Sequence, residues 1–167
     1  MFETTFALYA RRMWKFGPAE VGIAFMVCGL IMAVAQAGAV MLLSRRLGEV
    51  PQVAAGFALM GTSLGVLLAV GSTAGVLVTV AALALGMALI APNLAALVSQ
   101  HRESGAGVTL GAQNAANSLG QLGGTLTGAM LFGWNMGAPF SMAGGLLVVV
   151  GVVLAWRTLG TSRRRAT

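Results

Sequence analysis

Polar and apolar positions along this chain alternate in long blocks. Charged residues gather in short clusters: Glu3, Arg11 to Glu20, Arg45 to Glu49, His101 to Glu103 and Arg157 to Arg165. Between the clusters run three uncharged stretches, Val21–Ser44, Val50–Gln100 and Ser104–Trp156. A helix needs about 20 apolar residues to cross a hydrocarbon core of roughly 30 Å. The first stretch therefore fits one crossing and each of the others fits two. Breakers divide the longer stretches at Gly71-Ser72-Thr73 and at "FGWNMGAP", Phe132 to Pro139. The pattern predicts an all-α integral membrane protein, a single membrane domain over 1–167. It predicts five complete spans, at about 21–44, 53–70, 74–98, 106–132 and 138–157. Phe2 to Ala10 is too short to cross and reads as a stub, the last turns of an earlier helix. Residues 158–167 read as a tail.

Composition sharpens this picture. The chain is 57% hydrophobic and 8% charged, with a mean hydropathy of +0.88. A soluble domain has about a quarter of its residues charged. The net charge of +6 is split among loops, which argues for topology and against a nucleic-acid surface. Arg11, Arg12 and Lys15 fall on one side together with the two uncharged turns. Arg45, Arg46, Arg102, Arg157, Arg163, Arg164 and Arg165 fall on the other and outnumber them. The more basic side is expected to be cytoplasmic. The expectation is thus a multi-pass protein of the cell's inner (plasma) membrane, with the lipid bilayer as partner and the C-terminus inside. Trp14, Trp134 and Trp156 fall at span ends, where interfacial aromatics gather. The start, "MFETTFALYARR", has no basic segment ahead of an apolar core, so it does not read as a signal peptide.

Small residues recur on helix faces. Gly22, Gly29 and Gln36 repeat every seven residues in the first span, and Thr79, Gly86 and Asn93 do so in the third. Gly61-xxx-Gly65 and Ser141-xxx-Gly145 lie in the second and fifth. Such faces let helix backbones approach in lipid, so a packed bundle is expected.

The fourth predicted span stands apart. In "GAQNAANSLGQLGGTLTG", Gly111 to Gly128, four amides sit inside a stretch without a single charge. At 100° per residue, Gln113, Asn114, Asn117, Gln121, Ser118 and Thr125 share one arc with Gly120, Gly124 and Gly128. Leu119, Leu122, Leu126 and Met130 fill the opposite arc. An unsatisfied amide in hydrocarbon costs several kcal/mol. The polar arc is therefore expected to meet partner helices or a water-filled path. Pro92 removes a backbone hydrogen bond to Ala88 and is expected to kink the third span, with Asn93 beside it.

Catalytic chemistry finds no foothold. Cys28 is the one cysteine and reads as a small packing residue. No nucleophile–base set, metal cluster or phosphate loop is recognisable, and "GQLGG" has no preceding strand to make a nucleotide fingerprint. The protein is expected not to be an enzyme and to need no cofactor and no metal.

Several stretches resemble the major facilitator superfamily of transporters. "GAVMLLSRRLGEVP", Gly38 to Pro51, is similar to that family's cytoplasmic loop between helices eight and nine, through Gly38, Arg45, Arg46 and Gly48. Ser44 stands where the family's loop has an acidic residue. "LALGMALIAPNLAALVS", Leu83 to Ser99, resembles helix ten. "GAQNAANSLGQLGGTLTGAMLF", Gly111 to Phe132, resembles helix eleven, above all in the drug:proton antiporter branch that includes tetracycline exporters. "FETTFALYARRMWKFGPAEVG" resembles the end of helix seven and the following outer loop.

The resemblance covers essentially the whole chain and implies the C-terminal half of that fold. It implies efflux-type transport of small amphipathic molecules, with a second half-transporter or a homodimer partner supplying the facing wall. Gln36, Asn93, Gln113, Asn114, Asn117 and Gln121 are then the expected substrate-pathway residues. The alternative expectation is a non-transporting membrane remnant or a subunit that only packs.

Overall fold

Helix boundaries follow the chemistry of the loops between them. The computed structural model describes residues 2–39, 48–100 and 106–164, and all of its described elements are helices. Helix α1 spans Phe2–Met13. It ends where Lys15 takes a left-handed backbone, φ 54°, and the Phe16 N–H turns back to the Ala10 carbonyl at 3.3 Å. Helix α2, Pro18–Val34, opens on a proline, and the Glu20 carboxylate accepts the Gly17 N–H at 2.9 Å. Both features deal with donors that a helix start leaves unpaired. One π-helical turn, Ala35–Ala39, follows α2 directly. Helix α3 is Glu49–Ala69. Helix α4, Thr73–Gln100, is capped by Ser72, whose Oγ accepts the Gly75 N–H at 3.2 Å. Helix α5 is Ala106–Trp134 and α6 is Ala138–Arg164. The turn between them is closed by Asn135, whose Oδ1 accepts the Gly137 N–H at 2.9 Å.

Each expected span overlaps a described helix, the end of the first, 40–44, lying outside the described residues; three differences stand out. Among the described residues, four helices are long and apolar enough to cross a membrane, against the five spans expected: Pro18–Gly38, Glu49–Ala69, Thr73–Val98 and Ala138–Arg157. Helix α5 has the length but not the apolarity, because its amides and glycines dilute its leucines. The stub is a helix of 12 residues that runs on to Met13. Finally, α6 continues to Arg164, through most of the expected tail. Nothing there stops a helix: no proline intervenes, and a lone Gly160 costs only about 1 kcal/mol. Pro92 lies inside α4, which is helical on both sides of it, from Thr73 to Gln100.

Helix α3 lies between α4 and α6, and glycines make both seams close. A Cβ on Gly56 would stand 2.8 Å from the Gly86 carbonyl oxygen, and one on Gly86 would stand 2.9 Å from the Gly56 oxygen. On the other side, a Cβ on Gly61 would stand 2.7 Å from the Gly144 oxygen, and one on Gly151 would meet the Ala58 nitrogen at 2.9 Å. Without a hydrophobic force between helices in lipid, such close packing is what holds them. The seven-residue set Thr79, Gly86 and Asn93 is buried throughout, as a packing face should be. The set Gly22, Gly29 and Gln36 is exposed, and nothing lies within 4 Å of a Cβ on Gly22 or Gly29.

An aromatic cluster closes one end of the bundle. Phe6 packs edge-on to Phe25 at 5.8 Å, and Tyr9 packs edge-on to Trp14 at 5.2 Å and to Phe140 at 5.0 Å. The Trp14 indole donates to the Val70 carbonyl at 3.1 Å, and the Arg12 guanidinium lies 5.8 Å over the Phe132 ring. These contacts bring the α1–α2, α3–α4 and α5–α6 turns to the same end. The outside of the bundle is apolar, with Val66, Val78, Leu119, Val149 and Val152 all more than half exposed. A surface of that kind belongs in lipid; in water it would aggregate.

Candidate functional site: the amide face of α5

Among the described helices, the amide-bearing α5 is the least covered. Its half-buried and buried positions are Thr109, Gln113, Gly124, Gly128, Leu131 and Phe132. At 100° per residue these fall on one side of the helix, and that side overlaps the amide arc. The leucine arc faces away: Leu119, Leu122, Leu126 and Met130 are 70%, 64%, 67% and 75% exposed. The polar side of α5 is thus turned toward the bundle. The turn is incomplete, since Asn114, Asn117 and Gln121 are themselves exposed. A Cβ on Gly120, in the same arc, would have nothing within 4 Å. Open space therefore adjoins the amides at mid-helix.

Hydrogen bonding separates the hydroxyls from the amides. Thr125 Oγ1 donates to the Gln121 carbonyl at 2.8 Å, and Thr127 Oγ1 to the Gly123 carbonyl at 2.8 Å. These threonines satisfy themselves on their own helix. Among the described residues, no side-chain partner takes up the amides of Gln113, Asn114, Asn117 or Gln121. Each amide brings two donors and an acceptor that need partners in a medium without water.

Asn93 is placed differently from those four. It is buried in the seam between α3 and α4, where its Nδ2 donates to Gln52 Oε1 at 3.1 Å and to the Leu89 carbonyl at 2.7 Å. Its amide is engaged in packing and does not open onto the space beside α5. Gln52, fully buried, is a residue that the sequence pattern passed over. It follows Pro51 at the mouth of a span and reads there as a loop residue. A paired buried amide stabilises modestly, but loss of one partner is expensive. Asn93→Ala should therefore lower thermal stability in detergent by about 1–3 kcal/mol. The double change Gln52→Leu with Asn93→Leu should recover part of that loss, because no lone amide then remains in the seam. A destabilisation that simply adds across the two sites would show that the pair is not coupled.

The remaining candidates are scattered. Gln36 and Gly38 are exposed on the π-helical turn after α2. Such turns widen the helix locally and often occur at functional sites. Gly48 is exposed just before α3, while Arg45 and Arg46, which complete the loop pattern, lie outside the described residues, as does His101. Pro92 is exposed on α4 one residue before Asn93. Gln113, Asn114, Asn117 and Gln121 therefore form one group, and Gln36, Asn93 and the loop residues do not join it. No group of His, Cys, Asp or Glu able to hold a metal occurs among the described residues.

No family model matches the chain, and no curated protein matches it.

Proposed function

We propose that this chain forms one wall of a path for small amphipathic molecules, in a membrane transporter of the major facilitator type. The observation that carries the reading is the amide face of α5. Gln113, Asn114, Asn117 and Gln121 lie together on a helix of a bundle otherwise dressed for lipid, and no described side chain satisfies them. A water-filled path bounded by a second bundle would hydrate them and present donors and acceptors to a passing solute. The sequence resemblance points the same way, since it implies a substrate path between two halves, which an inward polar face on this helix fits. The competing reading, a subunit that only packs, draws on Asn93, whose buried Nδ2 donates across the seam to Gln52.

Cysteine accessibility distinguishes the two. In a Cys28→Ala background, single cysteines at Gln113, Asn117 and Gln121 should react with a water-soluble maleimide in intact membranes. Cysteines at Leu119, Leu122 and Leu126 should react only with a lipid-soluble one. In the same intact cells a cysteine at Met13 should be labelled from outside and one at Thr167 should not, because the basic residues retain the C-terminal side in the cytoplasm. Equal labelling around α5 would remove the basis for a path, and labelling of Thr167 from outside would reverse the topology.

A further inference from the structure

A second feature lies on the aromatic end of the bundle, away from the amide face. Between α1 and α2 runs a groove of about 790 Å³. Ala7, Leu8, Val21 and Phe25 give it an apolar body, and the charged residues that line it, Arg11 and Lys15, are both cations. Glu20, beside the groove, directs its carboxylate to the Gly17 N–H at 2.9 Å. The adjacent arginine, Arg12, serves another contact, over the Phe132 ring. So the two basic side chains of the groove share one mouth, and both are exposed there.

The level of that mouth matters. Helix α2 is the first membrane-length helix and begins at Pro18. Lys15 and Arg11 therefore stand at the headgroup depth, beside Trp14, and Leu8, Val21 and Phe25 stand deeper. The groove is cationic at the interface and apolar at acyl-chain depth. Lys15 adds an independent hint. Its φ of 54° is a conformation that glycine or asparagine adopts at less cost. A long cationic side chain retained at a left-handed position at the mouth of a groove is strain of the kind that marks a working site.

We propose that this groove seats an anionic phospholipid, its phosphate held between Arg11 and Lys15 and one acyl chain laid against Leu8, Val21 and Phe25. Charge complementarity selects this occupant. A zwitterionic lipid brings its own cation to two fixed cations, and a helix from a second bundle would have to bury both of them without a counter-charge. The inference rests on α2 crossing the membrane and is independent of transport.

Native mass spectrometry of the purified protein, equilibrated with equal phosphatidylglycerol and phosphatidylcholine, is the test. The wild type should retain phosphatidylglycerol preferentially. Arg11→Gln with Lys15→Gln should reduce that preference by about tenfold or more, since each basic residue near a membrane surface is worth about 1 kcal/mol. Arg12→Gln should leave it unchanged. Leu8→Trp should fill the groove and reduce retention of either lipid. If the double variant does not express, Lys15→Gly suits the backbone and removes one cation without strain. An unchanged lipid ratio in the charge variants would overturn the proposal. So would disulfide formation between copies through Leu8→Cys in a Cys28→Ala background, which would give the groove to a second chain.

Discussion

Gly61→Val is expected to separate α3 from α6 and to be the most damaging single substitution in the bundle. A Cβ at Gly61 would stand 2.6 Å from Val148 Cγ2, 2.7 Å from the Gly144 oxygen and 2.8 Å from the Val148 nitrogen. Two of those three neighbours are backbone atoms, so no rotamer change relieves the clash. The helices must part, and the loss spreads along the seam to Gly151, which lies against Ala54 and Ala58. Overpacking usually costs about 1–3 kcal/mol, and a backbone-on-backbone clash lies at or above the top of that range. Gly65→Val supplies the control, because a Cβ there would have nothing within 4 Å. Thermal unfolding in detergent, followed by tryptophan fluorescence, should show a large fall for Gly61→Val and almost none for Gly65→Val. Equal midpoints would mean that α3 and α6 do not meet at Gly61.

The pair of glycines in that experiment also marks the limit of what the sequence could reveal. A Gly61-xxx-Gly65 spacing says that some helix approaches closely, and at Gly61 one does. It cannot say that Gly65 lies at the edge of the contact. The same holds at Gly144 and Gly145, which stand side by side. Glycine carries no hydropathy to indicate which of the two faces inward, and it is on Gly144 that a Cβ would stand 3.0 Å from the Gly61 oxygen, while one on Gly145 would have nothing within 4 Å. Asn93 was legible as a polar residue on a recurring face, but its partner was not. Gln52 lies 41 residues away in sequence, and no local pattern links them. Turns were easier. Ser72 and Asn135 carry the side-chain oxygens that close their own turns, so the breaks at 71–73 and 133–137 could be read locally.

The amphipathic reading of α5 illustrates both sides. Its two arcs follow from a period of 3.6 residues, and the more covered side of the helix does overlap the polar arc. What periodicity could not indicate is that the cover stops short of Asn117 and Gln121. Coverage depends on how far neighbouring helices lean over, which is a tertiary quantity. The same amides explain why α5 falls below the apolarity of the other membrane-length helices. The property that makes it a poor span is the property that makes it a candidate wall.

Replacing Gln113, Asn117 and Gln121 together by leucine is expected to abolish export while leaving the protein at least as stable as before. No described side chain depends on those amides, so their removal breaks no interhelical bond. In an apolar setting each change also removes a polar group whose burial costs about 1–3 kcal/mol on mutational scales. The triple variant should therefore insert and unfold like the wild type, or later. Transport should respond in the opposite direction. Leucines along a narrow path expel its water, and a dewetted constriction blocks polar solutes. Three lost hydrogen-bonding sites at about 1 kcal/mol each correspond to a fall of at least tenfold in rate. Efflux of a fluorescent amphipathic cation from cells expressing the protein in its native genetic context is the measurement, with membrane abundance and thermal stability followed in parallel. If the chain only packs, the result inverts: no efflux is affected, and stability falls because the amides were bonded to a partner subunit. Unchanged efflux at normal abundance would sink the proposed path. Lost efflux at unchanged stability would locate the wall of the path on this face of α5.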